Sequence, residues 1–282
     1  MSDRSMPTGR IGNVTISRLI IGGNQFSGWS HSRDLKYLRE LFKAYATEAK
    51  IMDTLQLAEE NGINTIITSS SSYLSKYWKE RGGQIQWIAQ VHPKTDDVTS
   101  DIKRAIDGGA VGAYVQGGVG DSFVKGGRVD LLGKVVEFIK GNRLIAGIGG
   151  HSIEVPMAVE KASIQPDFYM KTLHHGNYWS ATPKEERVEF NVDSGGPDDH
   201  DNIWSVTPEK TIEFMRGVPR AWIAFKVLAA GAIHPRDGFK YAFANGADFI
   251  CAGMFDFQVR ENAIIARDSI AGAQNRVRPW RT

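Results

Sequence analysis

Eight short runs of β-branched and other apolar residues recur along this 282-residue chain, separated by segments whose apolar residues are spaced three and four apart. The runs are RLIIGGN (18–24), NTIITSS (64–70), QWIAQVH (86–92), GAYVQGG (112–118), RLIAGIGGH (143–151), DFYMKTLH (167–174), AWIAFKVLAAG (221–231) and DFICAGMFD (248–256). Helical patterns lie between them at 50–62, 100–110, 130–142, 155–163, 208–217 and 236–247, several ending in glycine as helix C-termini do. Parallel strands need long crossovers, usually helices. Alternation in this number predicts a (β/α)8 TIM barrel, with a doubly wound open sheet as the alternative.

No low-complexity tract or linker divides the chain, so 1–282 reads as one domain. Two places break the rhythm. Residues 25–48 form a long first βα loop that is expected to carry a helix of its own. Residues 175–207, after the sixth strand, form a longer insertion. Trp179, Phe190, Ile203 and Trp204 give that insertion apolar surface, so it is expected to act as a lid.

Bulk properties narrow the chemistry. A net charge of +2 with no long basic run argues against nucleic-acid and membrane partners and for a small molecule. Cys251 is the only cysteine, which excludes a disulfide framework and a cysteine metal cluster. The polar start MSDRSMPTGRIGNV lacks a signal-peptide core, so a cytoplasmic location is expected. The sequence leaves a homo-oligomer open.

Barrel enzymes work at the C-terminal ends of their strands. Those ends here carry Asn24, Ser70, His92, Gln116, His151, Lys171 with His174 and His175, Lys226 and Asp256. Asn24 also suits a turn, and His92 or Gln116 suits a hydrogen-bonded loop. Lys171 and Lys226 are different, because an ammonium on an apolar strand needs a partner or a lowered pKa. In AAGAIHPRDGFKYAFANGADFICAGMF, the glycine turns at Gly231 and Gly253, with Ala232 and Met254, are spaced like a backbone anion cup.

The opening RLIIGGNQFSGW with EENGINTIITSSSSY resembles the aldo/keto reductases. Ile67 stands at that family's catalytic aspartate, Tyr73 is one residue late and Gln90 stands at its lysine, so nicotinamide chemistry is not implied. The last 115 residues or so resemble the class I aldolases, deoxyribose-phosphate aldolase in particular. That likeness implies a Schiff-base lysine at Lys171-Thr172, assisted by Lys226. The glycine after Lys171 falls one position late, Lys226 lies two residues further from its glycine turn, and GAYVQGG lacks the family's carboxylate. As a whole the chain resembles bacterial barrel proteins that share KTLHHGNYWSA, HDNIW and WIAFKVLAAGAIHPRDGF, which implies the fold.

Two mechanisms fit these residues. In the first, a lyase or aldolase acts on a hydroxy-carbonyl carbohydrate or sugar phosphate. Lys171 is its amine, Lys226 the neighbouring charge, and His174 or His175 the proton carrier. Asn24, Gln116, Trp179, Trp204, Gly231 and Gly253 would hold the substrate. In the second, His151 and His174, with His92, His200, Asp201 or Asp256, bind divalent manganese, iron, cobalt or zinc in an isomerase, epimerase or lyase. A non-catalytic ligand-binding barrel is the third reading. Strand parity bears on the choice: if Lys171 points into the barrel, Tyr169 and Leu173 do too.

Overall fold

The computed structural model describes residues 5–31, 35–188, 190 and 205–281. Its frame is a closed barrel of eight parallel strands. They are β3 (Leu19–Gly22), β4 (Thr65–Thr68), β5 (Gln86–Val91), β6 (Gly112–Val115), β7 (Ile145–Gly150), β8 (Phe168–Thr172), β9 (Ala221–Phe225) and β10 (Phe249–Gly253). β10 pairs back onto β3 from Ile250↔Leu19 to Gly253↔Gly22, which closes the barrel. The (β/α)8 expectation holds, and the open sheet is excluded.

Ahead of the barrel, β1 (Thr8–Ile11) and β2 (Val14–Ser17) make an antiparallel hairpin. Ile11, Val14 and Ile16 join the lumen cluster of Ile20, Ile67, Ile88, Ile145, Phe168, Ile223 and Phe249. The hairpin turns at Gly12, whose φ is +58°, and a Cβ there would press on Ile145 at the start of β7. The hairpin therefore plugs the N-terminal end and leaves the opposite mouth for a site. Four-residue strands carry little periodicity, so the sequence pattern does not reveal this hairpin.

The helices are α1 (Lys36–Tyr45), α2 (Glu48–Glu60), α3 (Ser72–Arg81), α4 (Ser100–Asp107), α5 (Gly117–Lys125), α6 (Val129–Gly141), α7 (Glu154–Lys161), α8 (Pro208–Gly217), α9 (Pro235–Ala244) and α10 (Asp256–Gly272). Their apolar faces meet the outward residues of the strands in the larger core cluster. On β8, Phe168 and Met170 face the lumen. Tyr169 packs outward, and its hydroxyl donates to Glu160 of α7 at 2.7 Å. None of the helices is long and apolar enough to cross a membrane, among the described residues.

Every barrel strand stops earlier than the sequence indicates, and three of these early stops shape the mouth. Gln116 leaves β6 to cap α5, its Oε1 accepting from the Val119 N–H at 3.0 Å. Lys226 ends β9 by turning to φ +57°. Asp256 opens α10 instead of closing a strand. The first long loop contains α1. Of the 175–207 insertion, Arg187 ties the first part together, donating to the Thr182 carbonyl at 2.8 Å and the Gly176 carbonyl at 3.1 Å. The expected lid motif, with His200, Asp201, Ile203 and Trp204, lies outside the described residues.

Candidate active site at the C-terminal mouth

His151 follows directly on Gly150 at the end of β7. By alternation with Ile145 its side chain belongs to the lumen side. Asp121, one turn into α5, reaches across and holds it. The carboxylate takes the ring Nδ1 at 2.8 Å, the His151 backbone N–H at 3.1 Å and the Ser152 N–H at 3.0 Å. Both side chains are buried, at 7% and 4% exposure. Burial pushes the imidazole down to about 4; Asp121 opposes this, and the charges of Lys226 and Lys171 add to it. The ring is therefore neutral near pH 7, with its proton on Nδ1 toward the carboxylate and its lone pair on Nε2. Phe190 stacks on it at 4.5 Å, and Phe225 tilts against it at 5.4 Å.

Lys226 stands at the end of β9. A left-handed backbone is unfavourable for a residue with a Cβ, and here it marks the point where the strand breaks to present its side chain. Nζ lies 6.0 Å from the centre of the Phe225 ring, the same ring that touches His151. It lies 3.3 Å from Nε2 of His31, and the Asn24 amide lies 3.2 Å from that same nitrogen. Burial drives the Lys226 ammonium down to about 7. It drives His31 to about 3, with the charges of Lys226 and His151 contributing. His31 is thus a neutral acceptor between two donors. The cluster of Lys226, His31, His151 and Asp121 places an amine of lowered basicity close to a carboxylate-oriented imidazole.

Lys171 sits elsewhere. It shares the outward side of β8 with Tyr169 and Leu173, and its ammonium curls over the strand end. There it donates to the His151 carbonyl at 2.7 Å, Thr172 Oγ1 at 2.7 Å and the Thr172 carbonyl at 3.2 Å. The first of these bonds ties down the backbone of His151, and the other two tie Lys171 to its own strand end. The placement suits an anchor, and it does not suit the attacking amine that the aldolase resemblance implies.

The remaining sequence candidates do not converge on this cluster. His174 is fully buried, with Nδ1 donating to the His175 carbonyl at 2.8 Å and Nε2 accepting from the Ser205 N–H at 3.1 Å. Both nitrogens therefore serve the backbone. His175 lies edge-on to Tyr241 of α9, 5.2 Å away on the outer layer. The half-exposed side chain of His92 pairs with Asp101 at 3.7 Å. Asp256 binds Lys50 at 2.8 Å and the Tyr45 hydroxyl at 2.6 Å. Trp179 is 92% exposed. Gln116 is spent on its helix cap. Among the described residues no group of three His, Cys, Asp or Glu is placed to hold a metal ion. His200 lies outside those residues.

The glycine turn after β9 does not present its N–H groups as an anion cup. The N–H groups of Gly231 and Ala232 are bonded within their own turn, to Leu228 at 2.8 Å and Ala229 at 3.2 Å. Above Gly253 lies the amide of Gln25, with which any Cβ at that position would collide.

Asp121, His31 and Phe225 escaped the sequence reading. Asp121 lies in α5, between the run at 112–118 and the helical pattern at 130–142, where the sequence indicates neither strand nor helix. The presence of GGVGDSF directly after the β6 run was its one available signal. His31 comes from the long first loop, and nothing in its neighbours marks it.

The chain matches no family profile and no curated protein. Solved structures do match it. One is provisionally described as an aldo-keto reductase from Pseudomonas aeruginosa, 16% identical, with a TM-score of 0.63 over 95% of this chain and 96% of that one. A mandelate oxidase complex with (S)-2-phenylpropionate is 12% identical, with a TM-score of 0.56 over 98% and 80%. A spore coat polysaccharide biosynthesis protein from Bacillus subtilis is 9% identical, with a TM-score of 0.54 over 98% and 78%. At these identities the likeness shows the barrel fold alone.

Proposed function

We propose that the chain is a Schiff-base lyase of the aldolase type that acts on a small hydroxy-carbonyl compound, with Lys226 as the amine. The observation that carries this reading is the placement of Lys226. Its Nζ, on a strand end broken by a left-handed residue, lies beside neutral His31 and across Phe225 from the Asp121-held His151. A lysine is nucleophilic only when neutral, and desolvation at the barrel mouth favours that form.

The chemistry needs one amine and one proton carrier. The Lys226 nitrogen adds to the substrate carbonyl carbon, and loss of water leaves an iminium ion. His151 Nε2 takes the proton of the hydroxyl on the second carbon from the iminium carbon. The bond between the first and second of these carbons then breaks, its electron pair forming a double bond to the iminium carbon to give an enamine, and the hydroxyl-bearing carbon leaves as an aldehyde. His151 returns the proton to the enamine carbon, and water frees the ketone and Lys226. Asp121 keeps the imidazole in the tautomer this exchange requires and stabilises its protonated form. Lys171 fixes the backbone of that histidine from below.

The test is borohydride reduction in the presence of dihydroxyacetone, read by intact mass and peptide mapping. The expected result is one adduct on Lys226, absent in Lys226→Met and retained in Lys171→Met. An adduct on Lys171, or no adduct on either lysine, overturns the reading.

A further inference from the structure

In many barrels a phosphate is held by backbone N–H groups in the loops after the seventh and eighth strands. In this chain those positions are differently occupied. After β9, Ala229, Ala230 and Gly231 run through φ of +44°, +55° and +98°. This coil closes on itself: the N–H groups of Ala229, Gly231, Ala232 and Ile233 all bond carbonyls between Lys226 and Ala229. After β10, Gly253 is covered by the Gln25 side chain, which arrives from the β3 end next to Asn24.

Gln25 is itself incomplete. Its Oε1 is buried and has no hydrogen-bond partner among the described residues. A buried acceptor without a partner costs on the order of 1–3 kcal/mol, so a donor supplied from the mouth would be favoured there. A hydroxyl has a proton to give, and a phosphate dianion has none. The anchoring lysine beside the site is also spent, since Lys171 is committed to the carbonyls of His151 and Thr172.

We infer that the substrate is an unphosphorylated polyhydroxy carbonyl compound and that Gln25 receives one of its hydroxyl groups over β10. The inference rests on the Lys226 reading for its covalent assay only. Gln25 is a specificity residue here, contributing to which carbonyl compound is held and not to bond making.

The experiment uses the full chain and three probes: acetone, which carries no hydroxyl, glyceraldehyde, and glyceraldehyde 3-phosphate. Borohydride trapping at Lys226 is expected to favour glyceraldehyde over its phosphate by about tenfold, the worth of one hydrogen bond of about 1.4 kcal/mol. Gln25→Leu is expected to lower the glyceraldehyde-to-acetone ratio by about the same factor, and Gln25→Glu, still an acceptor, to restore it. Preference for the phosphate, or a ratio indifferent to Gln25→Leu, overturns the inference while leaving Lys226 in place. If no probe is trapped, the lysine reading fails and a thermal-shift comparison decides the specificity. Stabilisation by ribitol over ribitol 5-phosphate, lost in Gln25→Leu, supports it, and the reverse order or no response overturns it.

Discussion

The ammonium of Lys171 donates at 2.7 Å to the main-chain carbonyl of His151, so one of the two strand-end lysines supports the imidazole that the other faces. Lys171→Met removes the ammonium donor of the Thr172 oxygens and leaves the His151 carbonyl with the Thr172 hydroxyl alone, in a site only 2% exposed. The expected cost is about 1–3 kcal/mol in urea unfolding. Turnover is expected to fall through kcat, while the adduct on Lys226 still forms. Abolition of the Lys226 adduct in a folded Lys171→Met protein would contradict the division of labour between the two lysines.

Asp121 makes a sharper separation between structure and chemistry. Asp121→Asn keeps shape but replaces an acceptor with an amide, which can donate to Nδ1 and so move the imidazole proton to Nε2. Loss of a positioned proton carrier costs roughly 10²–10⁴-fold in rate. The measurement is nitrogen-15 NMR of the His151 ring together with kcat. A changed rate with an unchanged tautomer would show that the carboxylate acts only through the backbone N–H groups of His151 and Ser152.

The barrel was legible because its signal repeats: eight apolar runs are each reinforced by the next, and β-branched residues on both faces mark buried parallel strands. The site was legible only at the strands. Asn24, His151 and Lys226 stand at strand ends, where position alone marks them, and they do meet. Asp121 and His31 reach the same cluster from a helix and a loop, and only the folded chain brings them there. The sequence makes Lys171 the amine and Lys226 its neighbouring charge, the reverse of the roles proposed from the fold. Alternation should have divided them, because Tyr169 and Leu173 mark the Lys171 side of β8 as the helix-facing side.

The three lowered pKa values fix how stability should vary with pH. His31 and His151 stay neutral in the fold down to about 3 and about 4, while in the unfolded chain they take up protons from about 6.5. The unfolded state binds more protons in that window, so stability falls as pH drops from about 6.5 toward 3. For Lys226 the window runs from about 7 to the ordinary lysine value of 10.5, and stability rises with pH across it. Lys226→Met should remove that upper slope and stabilise the fold below pH 7. Urea midpoints taken from pH 4 to 10 test both limbs, and a Lys226→Met curve parallel to the parent's would refute the lysine assignment. Reductive trapping should in turn rise with pH through about 7.

At the opposite end, Asp248 compensates a concentration of buried cations. It accepts from Arg278 at 2.9 Å, lies 3.5 Å from Arg276, and also receives the backbone N–H groups of Trp222 and Arg281. Arg18 at 3.8 Å and Arg276 at 3.4 Å both lie over the Trp280 ring. Asp248→Asn leaves these guanidinium groups without their counter-charge, a change that typically costs about 3–5 kcal/mol. Chemical denaturation should show that loss while the pH dependence of Lys226 trapping in the folded fraction is unchanged, since the residue belongs to the barrel base. An Asp248→Asn protein as stable as the parent would mean that the backbone carbonyls taking Arg18, Arg276 and Arg278, with the stacking on Trp280, hold the cations without the counter-charge.

Gly117 offers the most selective way to disturb the mouth. It is the first residue of α5, and a Cβ there would lie 2.8 Å from Cε1 of His151. The ring cannot swing aside easily, because Asp121 holds its Nδ1 and Phe190 covers its face. Gly117→Ala removes no hydrogen bond, and at the first position of the helix the propensity gain is below the ~1 kcal/mol of an interior site. Whatever it changes must therefore come from displacing the imidazole. The expected outcome is a fold of near-parent stability with kcat down by roughly 10²-fold, the effect of misplacing a reacting group by about 1 Å. The Lys226 adduct with dihydroxyacetone should still form, since its attacking atom is untouched. If kcat survives Gly117→Ala at full stability, His151 does not carry the proton, and the proton carrier must be sought at His31, the other imidazole that faces Lys226.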